Sequence, residues 1–429
     1  MMSRVVASLR RKPIMTSADA TLDRPTPTRL ACDLLLAVAF GWFAYALSCW
    51  LVPPIATASG FGTEWQLMSE NPFRDRGLFP HRALVPFLAW LLGLGGESYL
   101  GFTHGLHGLM LASVFFVVVR LRGRYLDALL VTFAVAITAP VQMYKLHWSG
   151  YTDPICYTLF LWMILAARSP FAMWSLLLIN LMNHELAAFL VPWLWFLRRR
   201  HDARWQLDAV CLGIVMAIYA GFYFWVKANV VETYSVDYFM ANPLFPGGSF
   251  VVWNLAAVHW IVAFGPVIAV LAWHQHLKGA GVDRWHLWLV LFSILTIFCI
   301  AFDWARHSNL LVLPVVLASV RFLAAGNRNR GVYAGMLGVT ALLLWLVPAW
   351  SPSAWPTSLF ARPELLVATE VIHLTPPPKV ELESFGTLEA SLQQWLPAVW
   401  KSLSVVYAIG IAFWFAGWAW ARHQNRAAS

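Results

Sequence analysis

The sequence predicts an all-α, polytopic membrane helical bundle of about ten full spans plus a short-helix hairpin, and three observations predict it. Of the 429 residues, 60% are hydrophobic and only 12% are charged. The apolar residues lie in continuous Leu, Val, Ala and Phe blocks without the two-residue alternation of barrel strands. A spanning segment must close its backbone hydrogen bonds internally, so blocks of this kind are helices. Lys and Arg gather in short segments that alternate with non-basic ones, as successive crossings require.

Residues 1–29 form a polar, basic tail that carries Arg10, Arg11, Lys12, Arg24 and Arg29. The apolar run at 30–52 is far longer than the roughly 7–15 residues of a signal-peptide core, so it reads as an uncleaved first span. Residues 53–97 hold a polar loop and then "ALVPFLAWLLGLG" at 83–95, too short to span and suited to a helix at the membrane interface. Blocks of spanning length recur at 98–119, 125–143, 207–228, 251–273, 285–302, 308–324, 331–350 and 398–420, with a shorter one at 154–167. The block at 171–197 has basic residues at both ends, Arg168 and then Arg198, Arg199 and Arg200. Two short helices turning near Asn183, His184 and Glu185 satisfy that pattern. The bundle therefore covers 30–350, an acidic loop at 351–397 caps its outer face, and 398–429 are the last span and tail. Basic segments at 120–124, 198–204, 274–284 and 326–330 assign both termini to the cytoplasmic side.

The formal net charge of +9 resides in these short loops and not along one face, which argues for topology-setting charge and against a nucleic-acid partner. The five cysteines lie in or beside apolar runs with no CxxC or CxxH spacing, so neither a disulfide framework nor structural zinc is expected.

Chemistry is expected on the outer side, where five groups of polar residues occur. The first loop, 63–82, concentrates Glu64, Glu70, Arg74, Asp75, Arg76, His81 and Arg82. Solvation accounts for charges in a loop, but carboxylates among arginines at a membrane surface also suit a base held near a phosphate. "YKLHWSGYTDP" at 144–154 carries Lys145, His147 and Asp153; Pro154 suits the first helical position, which makes Asp153 a natural N-cap. Glu185 has about a dozen apolar residues on each side, and an ionised side chain at bilayer depth costs about 3 kcal/mol or more. It is either a neutral glutamate satisfied by the turn or part of a site, with His184 as its partner. In "FDWARHSN" at 302–309, which also holds His307, Asp303 and Arg306 have the spacing of a local ion pair, and alternatively Arg306 faces the outer cavity and binds an anion. His104 and His107 stand one turn apart without a nearby acid, which disfavours a metal site.

An acidic first outer loop with an interfacial helix, the "G-x-x-D-P" start of the span after 153, and a short-helix acid ahead of "AAFLVPWLWFL" together resemble the multispanning GT-C glycosyltransferases. The resemblance is one of arrangement, over most of residues 30–324. It implies an inner-membrane enzyme that transfers a sugar from a polyprenyl-phosphate donor to a glycan or lipid acceptor on the outer side. It further implies a first-loop carboxylate (Glu64, Glu70 or Asp75) as base, Asp153 and Glu185 shaping the site, and Arg82 or Arg306 meeting phosphate. Glu70, Arg74, Lys145, His147, His184, Asp303 and His307 would line the substrate site, with no certain cofactor and room for a divalent metal. The adjacent acidic pair usual soon after the first span of that family is absent here.

Two other classes fit the same residues. A transporter would use Glu185 and His184 at a broken helix, although the spans show no paired interruptions in two halves. A membrane acyltransferase would use His147 or His307 as base.

Overall fold

Helix α1 (Pro27–Leu51) hides a small and polar stripe and turns its large apolar side chains outward. Asp33, Ala37, Gly41, Ala44, Tyr45 and Ser48 are buried, whereas Leu35, Val38, Phe43 and Trp50 are exposed. Helix α10 (Trp205–Asn229) shares the outward apolar side, with Val210, Ile214, Ile218, Phe224 and Trp225 exposed, over a buried stripe of Asp208, Cys211, Val215, Tyr219 and Val226. That inversion is the signature of helices packed through small residues and solvated by lipid tails, so the chain is a membrane protein in contact with a bilayer.

The computed structural model of the chain describes residues 26–54, 56–58, 61–72, 76–77, 79–122, 124–146, 148–201, 204–232, 264–298, 307–346 and 408–427. Between α1 and α10 these form α2 (Phe61–Glu70), α3 (Leu84–Leu91), α4 (Tyr99–Arg122), α5 (Tyr125–Ala136), α6 (Ala139–Leu146), α7 (Asp153–Ala166), α8 (Pro170–Asn183) and α9 (Val191–Arg199). Then follow α11 (Ile268–His276), α12 (Trp285–Phe298), α13 (Val312–Ala324), α14 (Asn327–Leu346) and α15 (408–427). The described fold is all-α; its one extended pairing is a two-residue parallel ladder of β1 (Arg76–Gly77) with β2 (Val231–Glu232). Four described helices are long and apolar enough to cross a membrane, Pro27–Leu51, Gly96–Leu121, Trp205–Asn229 and Lys278–Ile297. The bent pair of α5 and α6 makes a fifth. Of the other blocks, 251–263, 347–350 and 398–407 lie outside the described residues.

The block at 125–143 reads in sequence as one span, but the helix breaks at Ile137 and Thr138 and bends by 43°. In a continuous helix, Pro140 would clash with the carbonyl of Ala136 and deprive it of its amide donor. Ala136 O instead accepts from Ser48 Oγ at 2.9 Å and Gln142 Nε2 at 2.8 Å. Below them Lys145 Nζ donates to Ser48 O (2.7 Å), Ser48 Oγ (2.8 Å) and Val52 O (2.9 Å), which covers carbonyls at the end of α1. The break is tolerated because these side chains close it.

The first outer loop also differs from its expectation. Residues 61–70 are helical because Trp65 and Met68, one turn apart, bury themselves, with Trp65 set edge-on against Tyr151 at 4.8 Å. Helix α3 leaves Trp90, Leu91 and Leu92 exposed at its end, as suits a helix at an interface.

Two faces emerge from the contacts. Tyr125 bonds Asp33, Arg330 bonds Asp127, Arg198 bonds Asp208, Arg321 bonds Asp283, and Lys278 N bonds Asn425, so the basic segments gather on one face. The opposite face collects the end of α1, the 148–153 turn and the 183–185 turn. Segment 168–199 leaves the basic face along α8 and returns along α9, since Arg198 Nη1 donates to Ala167 O at 2.6 Å. Glu185 is thus brought to the level of the start of α7, where Asn183 Nδ2 donates to Thr152 O at 3.3 Å.

Close packing of α1 on α4 gives a direct test. A Cβ at Gly41 would lie 2.4 Å from Ala112 N, whereas one at Gly213 in α10 would meet nothing within 4 Å. Gly41→Leu is expected to destabilise by about 1–3 kcal/mol and Gly213→Ala by nothing, read as thermal unfolding in detergent.

Candidate functional site

Helix α8 stops at Asn183 because His184 turns extended (φ −160°, ψ 123°) and caps the next turn, accepting from Leu186 N at 3.2 Å. A 3-10 turn, Glu185–Leu190, follows, and α9 resumes at Val191. Pro192 lacks the amide that Ala188 O would need in a continuous α-helix, and Val191 N serves that carbonyl instead. Glu185 therefore sits at a helix break where backbone groups and side chain both face a junction.

Two consecutive residues of the first loop close on it. Arg82 Nε donates to Glu185 Oε2 at 2.8 Å and Arg82 Nη2 to Oε1, a fork-on-carboxylate pair. His81 Nε2 lies 3.3 Å and His184 Nδ1 3.4 Å from Oε2. The Arg82 and His81 side chains are 8% and 7% exposed and that of Glu185 is 37%, so the donors of the clasp are buried and the Glu185 side chain is its partly exposed member. The Arg82 guanidinium lies 4.1 Å over the Phe79 ring, and the His81 ring stands edge-on to Tyr223 at 5.2 Å. Backbone pairing of Arg76 with Val231 and Gly77 with Glu232 ties the same loop to the end of α10.

Helix α10 contributes Tyr219, Tyr223 and Lys227, one turn apart on one stripe. Lys227 Nζ lies 5.3 Å from the Tyr223 ring, and Tyr219 OH is buried without a hydrogen-bond partner among the described residues. The i, i+4, i+8 spacing of polar-tipped residues within an apolar helix was the available sequence signal for them.

The remaining candidates are distributed as follows. Asp153 is buried at the first helical position of α7 and does not cap it. The turn begins one residue earlier, with Ile155 N bonded to Thr152 O at 3.2 Å, so the carboxyl stands inside the first turn, where the helix dipole favours it. Through Thr152 and Asn183 that start is joined to the Glu185 turn. Glu64 is half-buried in the first turn of α2, and Glu70 at its end faces Gly96. Lys145 is wholly buried and spends three donors on α1, an arrangement that serves the fold. His307 is buried at the start of a turn whose Asn309 contacts Met143 Sδ at 3.3 Å. Arg74, Asp75, His147, Asp303 and Arg306 lie outside the described residues. His104 Nδ1 and Tyr45 OH are hydrogen-bonded at 2.5 Å, and the His104 ring is 6.0 Å from that of His107.

Chemically, the clasp holds a guanidinium and two imidazoles around one carboxylate. Such a carboxylate is a poor base because its charge is already compensated, but it fixes the donors around it. Comparison of the chain with protein-family models, with curated proteins and with solved structures finds no match.

Proposed function

We propose that the protein is a GT-C-like glycosyltransferase of the inner membrane, with both termini cytoplasmic and its site on the outer side. About ten crossings and the hairpin make up its bundle, and it transfers a sugar from a polyprenyl-phosphate donor to a glycan or lipid acceptor. The observation that carries the reading is the convergence of first-loop Arg82 and His81, the Glu185 helix break and the start of α7 at the end of the bundle opposite its basic segments. A polyprenyl tail partitions into lipid while its phosphate stays at the boundary, so a fixed guanidinium there has an evident ligand. In the reaction an acceptor oxygen attacks the anomeric carbon, the carbon–oxygen bond to phosphate breaks, and polyprenyl phosphate leaves. The acceptor proton passes to a first-loop carboxylate, Asp75 or Glu64. Glu185 is a positioning residue on this reading: it holds two N–H groups of Arg82 and aims the rest at the phosphate.

Proteoliposomes supplied with a panel of polyprenyl-phosphate sugars test this. Wild-type protein is expected to release polyprenyl phosphate from at least one donor, and Glu185→Gln or Arg82→Lys to lower that release about 100-fold with the fold retained. Equal release by wild type and both variants overturns the assignment of the site. The transporter reading draws on one feature, the acid at a helix break. Gradient-driven solute uptake with no donor turnover would establish it in place of transfer.

A further inference from the structure

At the basic face, far from Glu185, α11, α12 and α13 enclose a cavity of about 280 Å³ that the end of α9 closes with Arg200. Along α10, Asp208, which bonds Arg198 near this end, is 15 residues from Tyr223. That separation is about 22 Å of helix, so the two places are distinct.

The walls of the cavity are apolar, with Leu121, Leu271, Leu287 and Leu317, and its polar groups gather together. Asp283 is shared by two guanidiniums, Arg200 Nη1 at 2.5 Å from Oδ1 and Arg321 Nη1 at 2.6 Å from Oδ2. His286, 5% exposed, is approached at Nε2 by Arg200 Nη1 (2.9 Å) and at Nδ1 by Trp193 Nε1 (3.2 Å). Both neighbours are obligate donors, and a neutral imidazole has only one acceptor nitrogen, so His286 accepts from only one of the two, and Arg200 Nη1 also pairs with Asp283. Arg321 also donates to Ala280 O (3.2 Å) and Gly279 O, which fixes its guanidinium at the wall. Among the described groups that line the cavity two guanidiniums face one carboxylate, and an anion with several oxygens would balance the charge.

We propose that this cavity binds the phosphate headgroup of an anionic phospholipid from the leaflet at the basic face. The phosphate oxygens meet Arg200 and Arg321, and the glycerol and first methylenes lie along Leu271, Leu287 and Leu317. The apolar wall favours an amphiphile over a hydrated ion, and a basic recess between helices at that boundary is where anionic headgroups concentrate. The site is independent of the transferase reading, being on the other face.

Isothermal titration of the full-length protein in neutral detergent with short-chain phosphatidylglycerol, the matched phosphatidylcholine and inorganic phosphate tests the proposal. Phosphatidylglycerol is expected to bind saturably, and at least about tenfold more tightly than either comparison ligand. Arg321→Gln should weaken it about tenfold, and Ala318→Phe, which adds a ring to the cavity wall without removing a guanidinium, should abolish it. Equal binding of the two lipids, or undiminished binding by Ala318→Phe, overturns the site. Inorganic phosphate binding as tightly as phosphatidylglycerol overturns the lipid in favour of a free anion. Should Ala318→Phe fail to fold, the three-ligand comparison on wild type decides alone.

Discussion

Replacing Asp208 by alanine is expected to destabilise the protein by about 3–5 kcal/mol, the largest effect of any single ion-pair change in the described fold. The Asp208 carboxylate accepts Arg198 Nε at 2.8 Å, Arg198 Nη2 at 3.3 Å and Trp174 Nε1 at 2.9 Å. Its side chain is 2% exposed and that of Arg198 5%, so removal of the acid strands a guanidinium away from water. The same Arg198 clamps Ala167 O and thereby the base of the α8–α9 segment that presents Glu185. Asp208→Asn keeps the shape and the Trp174 bond and is expected to cost less. The double change Arg198→Met with Asp208→Leu should recover most of the loss, because the penalty arises from the unpaired charge more than from the missing pair. Denaturant titration in mixed micelles measures all three. A cost below about 1 kcal/mol for Asp208→Ala would mean that the pair is effectively solvated.

Lys145→Ala is expected to cost about 3 kcal/mol or more, for a different reason. Val52 O loses its donor, Ser48 O and Ser48 Oγ each lose one of two, and the void of a wholly buried side chain opens beside the Pro140 break. Lys145→Met keeps the stem packed and should cost about half as much, still leaving Val52 O without a partner. These two variants also discriminate between roles for the lysine. A substrate-binding lysine would show normal stability with lost donor binding, whereas the observed geometry requires lost stability in both variants. The readout is the unfolding midpoint alongside donor release in proteoliposomes.

The parts of the molecule that were legible in the sequence are those set by local composition. Continuous apolar blocks predicted helices in lipid, and the outward Leu35, Phe43 and Trp50 of α1 agree. The breaks were less legible. Pro140 announces one in retrospect, but the group that closes it together with Gln142 is Ser48, 94 residues earlier in the chain. Helix α2 was hidden because Trp65 and Met68 stand among charges, and their burial needs the 148–151 turn to pack against. Asp153 reads as a cap in isolation, yet the turn begins at Thr152, whose carbonyl is held by Asn183 from another helix. Among the site candidates, Arg82 and Glu185 were joined only by the resemblance, and nothing in the residues themselves pairs them across 103 positions.

The sequence by itself determined that this chain is a helical membrane protein, and it set the alternation of basic and non-basic connections. Hydropathy and charge act over windows of about twenty residues, within one helix and its flanks, so they can be read along the chain. Only the tertiary structure decided that Arg82 and His81 clasp Glu185, that Lys145 serves the fold, and that Asp283 joins Arg200 to Arg321 beside an apolar cavity. Those meetings depend on which helices pack together and at what height. In lipid, that choice is made by small-residue contacts such as Gly41 on Ala112 and by polar groups that must find a partner somewhere in the bundle; their helical spacing marks a face of one helix, but it does not name the helix that the face meets.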